Sequence, residues 1–148
     1  MRLVVLDTNI IVSAAIQPAS IPARIVMDWV LDGHIQAVTS PWVFGEYREV
    51  IRREKFRRYG FPPQWMEYLI EESLHLPDPT PWPHLGPDPK DAPFLALAQT
   101  AGAWLVTGNL KHFPDSIRAG VTVVSPADYL NRLKGVTPEF PPSFGSQP

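Results

Sequence analysis

The apolar positions of this chain alternate between short unbroken aliphatic runs and stretches in which apolar residues recur every three to four positions. The first run, Leu3-Val4-Val5-Leu6, ends abruptly in Asp7. Four consecutive aliphatic residues without polar alternation suit a central parallel strand covered on both faces. Helical spacing follows over Ile10 to Ile16, and again through Ile25, Val26, Trp29 and Val30 in a helix opened by Ser20-Ile21-Pro22 and ended by Gly33. A second strand is predicted within His34 to Thr39, carried by Ile35, Ala37 and Val38. The next helix starts at Ser40-Pro41, serine at N-cap and proline at N1, and buries Val43, Tyr47, Val50 and Ile51. Asp88-Pro89 and Ser125-Pro126 repeat that cap, the latter with Asp128 at the capping-box position.

Pro62-Pro63 opens a further helix with Trp65, Met66, Leu69 and Ile70 inward, and Leu74 to Leu76 forms a short third strand. A proline-rich loop over 77–89 leads into a helix through Phe94, Leu95, Leu97 and Ala98, stopped by Gly102. Trp104 to Thr107 and Val121 to Val124 are the fourth and fifth strands, and Ala127 to Lys134 the last helix. Strands alternating with helices predict an α/β protein, a three-layer α/β/α sandwich around a mostly parallel sheet of about five strands, because right-handed crossovers lay helices on both sides. One domain is expected over 1–134, followed by a proline-rich tail over 135–148.

Composition changes this picture little and narrows the chemistry. The 148 residues, 45% hydrophobic, can bury one real core. The 18 prolines fall mostly at junctions between periodic segments, where they punctuate helices. With no cysteine, disulfides, thiolate metal sites and thiol nucleophiles are excluded, so any metal must be held by oxygen or histidine. A formal charge of −2 lowers the expectation of nucleic-acid binding unless basic residues concentrate in one place. No stretch approaches the roughly 20 apolar residues of a membrane span, and the start lacks the charged-then-apolar form of a signal peptide; a cytoplasmic protein is expected, with no membrane partner.

In a βα unit the carboxyl end of the strand and the start of the next helix share one sheet edge, where ligands of open α/β sheets bind. Asp7 lies on that edge, although capping the next helix is the commoner task for an aspartate so placed. Glu46, early in the helix after strand two, and Asp88 and Asp91, which flank the start of the helix before strand four, are predicted to point the same way. Asn109 follows strand four much as Asp7 follows strand one. Gathered carboxylates repel unless a cation neutralises them, and oxygen-only ligands suit Mg²⁺ or Mn²⁺.

In these residues the chain resembles the PIN-domain family of nucleases. The resemblance rests on Val5-Leu6-Asp7-Thr8-Asn9, on Ser40 with Glu46, on Asp88-Pro89-Lys90-Asp91 leading into Phe94-Leu95-Ala96-Leu97-Ala98, and on Leu105-Val106-Thr107-Gly108-Asn109. It runs in order from residue 1 to about residue 130 and is nearest the branch of toxin components of toxin–antitoxin pairs. The resemblance implies a metal-dependent endoribonuclease with catalytic Asp7, Glu46 and Asp91, the same acids with Asn109 and Asp88 as metal ligands, RNA as substrate, a homodimer, and a small antitoxin partner. Asn109 stands where the family usually has aspartate, which removes a negative charge that Asp88 or Asp115 could restore.

The dense basic run Arg52, Arg53, Lys55, Arg57 and Arg58, with Phe56 and Tyr59 among it, suits phosphate contacts and base stacking, or equally a solvated helix end. Asn9, Ser40, Thr107, Lys111, Arg52 and Arg53 are the expected substrate contacts; His112, beside Lys111, could contact substrate phosphate too, but a lone histidine reads more readily as a packed loop residue. Two other readings compete. One is a binding module with this fold and weakened catalysis. The other, ranked last, is a phosphatase of the haloacid-dehalogenase type, whose second acid would have to stand where Asn9 does.

Overall fold

The computed structural model describes residues 2–53, 64–79 and 89–135. Its centre is β1 (Leu3–Leu6), whose Val4, Val5 and Leu6 are all essentially inaccessible to solvent. Successive strand residues point to opposite faces, so burial of all three means that both faces of the sheet are covered. β2 (Gln36–Thr39) and β4 (Trp104–Val106) flank β1, β3 (Leu74–His75) lies outside β2, and β5 (Val123–Val124) outside β4. The order is therefore β3-β2-β1-β4-β5, and every pairing is parallel. Helices cover both faces, giving the three-layer α/β/α sandwich that the alternation of elements predicts.

Helix α1 (Thr8–Ile16) begins directly after Asp7, two residues before its first periodic apolar residue. Helix α2 (Ile21–Arg24) is capped by the Ser20 hydroxyl, which accepts from the Ala23 N–H, and it widens into a π-helical turn over Ile25–Val30 that the even apolar spacing did not announce. Helix α3 (Pro41–Ile51) buries Val43, Tyr47 and Ile51, and the Ser40 hydroxyl accepts the Val43 N–H at its start. Arg48 of α3 stacks on Phe44 at 4.5 Å and pairs with Glu67 of α4 (Trp65–Glu72) at 2.8 Å. Helix α5 (Ala92–Ala101) packs its buried Phe94, Leu95, Leu97 and Ala98 into the core beside β1, β2 and β4. Gly102 ends it with φ at +66°, a left-handed conformation that glycine adopts without a Cβ penalty. Helix α6 (Pro126–Gly135) closes the domain, with the Ser125 hydroxyl accepting the Asp128 N–H.

Several boundaries differ from the sequence expectation. Strand five shortens to Val123–Val124, because the Val121 N–H bonds back to the Arg118 carbonyl in a turn instead of joining the sheet. The helix expected to start at Asp88-Pro89 begins at Ala92, with Asp91 at N-cap and Pro93 in its first turn. Either proline satisfies the N-terminal preference, and only packing chooses between them. Lys55, Phe56, Arg57, Arg58, Tyr59, Pro62, Pro63, Asp88 and the tail from Val136 onward lie outside the described residues. Among the described residues no single helix is long and apolar enough to cross a membrane.

Candidate active site at the β1–β4 edge

Strand order decides where a site can form. From β1 the chain moves outward to β2 and β3, then returns to the other side of β1 for β4 and β5. Connections leaving β1 and β4 thus diverge, and the crevice at their carboxyl ends is the switch point at which open α/β sheets bind ligands. Asp7 and Thr107 are the residues immediately after these two strands.

Asp7 is only 6% exposed. It occupies the N-cap position of α1, yet its side chain makes no capping bond. Its Oδ2 instead accepts from the Thr107 hydroxyl at 2.7 Å and from Asn9 Nδ2 at 3.3 Å. Thr107 is fully buried, and its oxygen also accepts the Asn109 N–H at 3.0 Å. Asn9 Oδ1 accepts the Gly108 N–H at 3.0 Å, so the two strand-end turns are stitched together. A Cβ on Gly108 would stand 3.4 Å from that same Asn9 oxygen, an ordinary contact, so the turn lies close to Asn9 without demanding glycine.

Burial holds the Asp7 carboxyl above the usual aspartate range, opposed first by the Thr107 hydrogen bond and reinforced by the negative charge of Asp91. The Asp91 charge is therefore close enough to be felt at Asp7. Asp91 Oδ2 also meets His112 Nδ1 at 3.2 Å, and His112 favours the ionised Asp7. His112 is 52% exposed, so the packed loop residue expected from sequence is instead a partner of the acidic pair. The signal that could have found it is its place in a 3₁₀ turn, Leu110–His112, immediately after β4.

Tyr47, a core residue by spacing alone, also serves this edge. Its hydroxyl donates to the Leu6 carbonyl, one residue before Asp7, and so ties α3 to the end of β1. Burial and the Asp7 charge push its phenol well above the ordinary tyrosine range. Tyr47→Phe leaves that hydrogen bond unmade; the expected cost is about 1–3 kcal/mol, read as a lower melting temperature of the purified variant. An unchanged melt would show that the bond contributes nothing net.

The other candidates are placed as follows. Glu46 adjoins Tyr47 on α3 and is partly buried. Asn109 and Lys111 are exposed at the same edge, and Arg52 and Arg53 are exposed at the end of α3. Ser40 is buried and spends its hydroxyl on the α3 cap. Asp115 is 94% exposed and pairs with Arg118 at 3.0 Å. Asp88 lies outside the described residues. Among the described residues no three histidine, aspartate or glutamate side chains converge as a ready-made metal cluster.

The donor set still fits a hard divalent cation. Asp7 and Asp91 are mutually repelling carboxylates, and one or two carboxylates, completed by water and substrate phosphate, are how Mg²⁺ is ordinarily held. The Thr8 hydroxyl, buried next to Asp7, lacks a hydrogen-bond partner among the described residues and offers one more oxygen.

A parallel α/β sandwich with acids at its switch point belongs to the broad class of open-sheet α/β folds that bind ligands at the carboxyl edge of the sheet. Within it, the sequence profile of the PIN domain matches residues 3–111, and the chain belongs to the PIN domain family. PIN domains are generally nucleases that use divalent metal ions. No curated protein matches the sequence. Among solved structures the chain is similar to VapBC2 from Rickettsia felis bound to a DNA fragment from their promoter, at 14% identity and a TM-score of 0.55, covering 83% of this chain and 98% of that one. It is similar to FitAcB from Neisseria gonorrhoeae at 16% identity and a TM-score of 0.55, covering 84% and 98%. FitAB bound to an IR36 DNA fragment matches at 17% identity and a TM-score of 0.53, covering 83% and 94%. At these identities the likeness is one of fold.

Proposed function

We propose that the protein is a cytoplasmic Mg²⁺- or Mn²⁺-dependent endoribonuclease, the toxin of a toxin–antitoxin pair. The observation that carries this reading is the buried Asp7 carboxylate, which feels the Asp91 charge, at the switch point of a PIN domain. Asp7 and Asp91 would hold the cation, and Glu46, Asn109 and Asp88 are its further proposed ligands. When bound, the cation supplies an activated water and neutralises charge on the leaving oxygen. Thr107 and Asn9 keep the Asp7 carboxylate oriented, and His112 holds Asp91. Lys111, Arg52 and Arg53 would meet phosphate. An antitoxin partner is supported by the similarity to VapBC2 and the FitAB complexes, and a homodimer by the resemblance to the toxin branch.

The test is cleavage of single-stranded RNA by the purified chain, with Mn²⁺ and with chelator. Metal-dependent products that disappear in Asp91→Asn are expected; metal-independent cleavage, or full activity in that variant, would overturn the assignment. A second reading, a PIN-fold module with weakened catalysis, is favoured by Asn109 in place of a carboxylate and by the lack of a three-acid cluster among the described residues. It predicts RNA or protein binding with no cleavage at any metal concentration.

The role of the basic residues is read from salt dependence. If Arg52 and Arg53 each neutralise one phosphate, changing both to alanine should make the slope of log affinity against log salt shallower by about 1.4, at about 0.7 per contact on a single strand. Equal slopes for parent and variant would assign both to a solvated helix end.

A further inference from the structure

A second candidate site lies at the opposite edge of the sheet. Leu3 begins β1, with Arg2 just before it, as Asp7 follows its end, and Trp104 begins β4 as Thr107 follows its end. Together with Tyr129 and Arg132 of α6, these residues line a cavity of about 640 Å³. That volume is within the range of roughly 300–1,000 Å³ usual for small-ligand pockets.

Three features of the lining point to one ligand chemistry. The described lining contains two guanidinium groups, Arg2 and Arg132, whose N–H donors suit an anion. Arg132 sits over the Trp104 ring at 5.2 Å, and Trp104 meets Tyr129 at 6.0 Å with the rings tilted by 55°. An arginine–tryptophan pair of this kind forms a platform on which a planar base can stack. Finally, Tyr129 is only 3% exposed, and its hydroxyl has no hydrogen-bond partner among the described residues. Buried hydroxyls are ordinarily satisfied, and one left over in a cavity wall is a donor awaiting an acceptor. Burial raises the Tyr129 phenol to about 12 while the nearby Arg2 guanidinium opposes that rise, so the hydroxyl is a donor at neutral pH and lies within reach of the Arg2 charge.

We propose that this cavity binds a phosphate monoester carrying a planar ring, a mononucleotide. Arg2 and Arg132 would take the phosphate by the fork geometry that suits phosphate oxygens, Tyr129 would donate to the same group, and the base would lie against Trp104. The site is separate from the Asp7 edge and does not depend on the nuclease reading.

The experiment is calorimetric titration of the full chain with adenosine, guanosine, cytidine and uridine 5′-monophosphates and with inorganic phosphate, in chelator so that no metal bridges ligand to Asp7. Saturable binding of at least one mononucleotide is expected, weakened tenfold or more in both Arg132→Ala and Tyr129→Phe and unchanged in Asp7→Asn. Arg132 is exposed, so its variant keeps the core intact. Absence of binding by every mononucleotide overturns the proposal, as does binding that survives both variants or is lost in Asp7→Asn. Inorganic phosphate binding as tightly as the mononucleotides would overturn the stacking role of Trp104 and, with it, the ligand class.

Discussion

Replacing Asp7 with asparagine is expected to lower metal-dependent RNA cleavage by at least about 10²-fold, the loss that follows when a few kcal/mol of metal-borne charge stabilisation is removed. The same change should make the metal-free protein more stable at neutral pH. Asp7 is buried, and its folded carboxyl holds its proton to higher pH than an unfolded aspartate does. Below the ordinary aspartate range both states are protonated, and ionisation costs nothing. As pH rises through that range toward the raised folded value, the unfolded chain ionises first and the wild type loses stability. Asparagine keeps an acceptor for Thr107 and carries no charge. The variant should therefore melt like the wild type in acid and higher at pH 7, by several degrees if the gain is about 1 kcal/mol. Adding Mn²⁺ should reverse the order, because only the carboxylate form gains ligand-linked stability. Melts that run parallel with and without Mn²⁺ across this pH range would remove Asp7 from a metal site.

Thr107→Val should produce the second largest effect. The threonine hydroxyl is the shortest hydrogen bond to Asp7, and its oxygen receives the Asn109 N–H. Valine matches its shape, takes away the acceptor of the Asn109 N–H and leaves the buried Asp7 carboxylate with only the longer Asn9 bond, an expected cost of about 1–3 kcal/mol. Because that bond favours the charged carboxylate, its loss raises the Asp7 carboxyl further, so the destabilisation should be larger at pH 7 than in acid. Cleavage and Mn²⁺ affinity should fall together. Thr107→Ser retains the hydroxyl and should recover most of both; if serine behaves like valine, packing of the methyl group accounts for the loss.

The sheet and most helices were legible because their signals are local. An unbroken run such as Val4-Val5-Leu6 means burial on both faces wherever the strand ends up, and Ser40-Pro41 reads as a helix start whatever packs beside it. The acids Asp7 and Asp91 were also visible, one at the end of an aliphatic run and one before a helical pattern. Choosing Asp91 over Asp88 as the residue at the start of α5 was not a local matter, since Pro89 and Pro93 each offer a plausible first turn and tertiary packing decides.

What only the tertiary structure decided is which side chains meet. A bond between Thr107 and Asp7 spans 100 positions in sequence, and one between Tyr47 and Leu6 spans 41. Periodicity shows Tyr47 as an apolar core position and says nothing of the carbonyl its hydroxyl will find. His112 looked like a loop residue because its partner, Asp91, comes from a different element. The sequence alone determined strand–helix alternation, the buried faces and the strand-end acid, all set by residues within a few positions of one another. Strand order brought β4 beside β1, so hydrogen bonds and charge–charge contacts across that seam, which have no local signature, came to define the site.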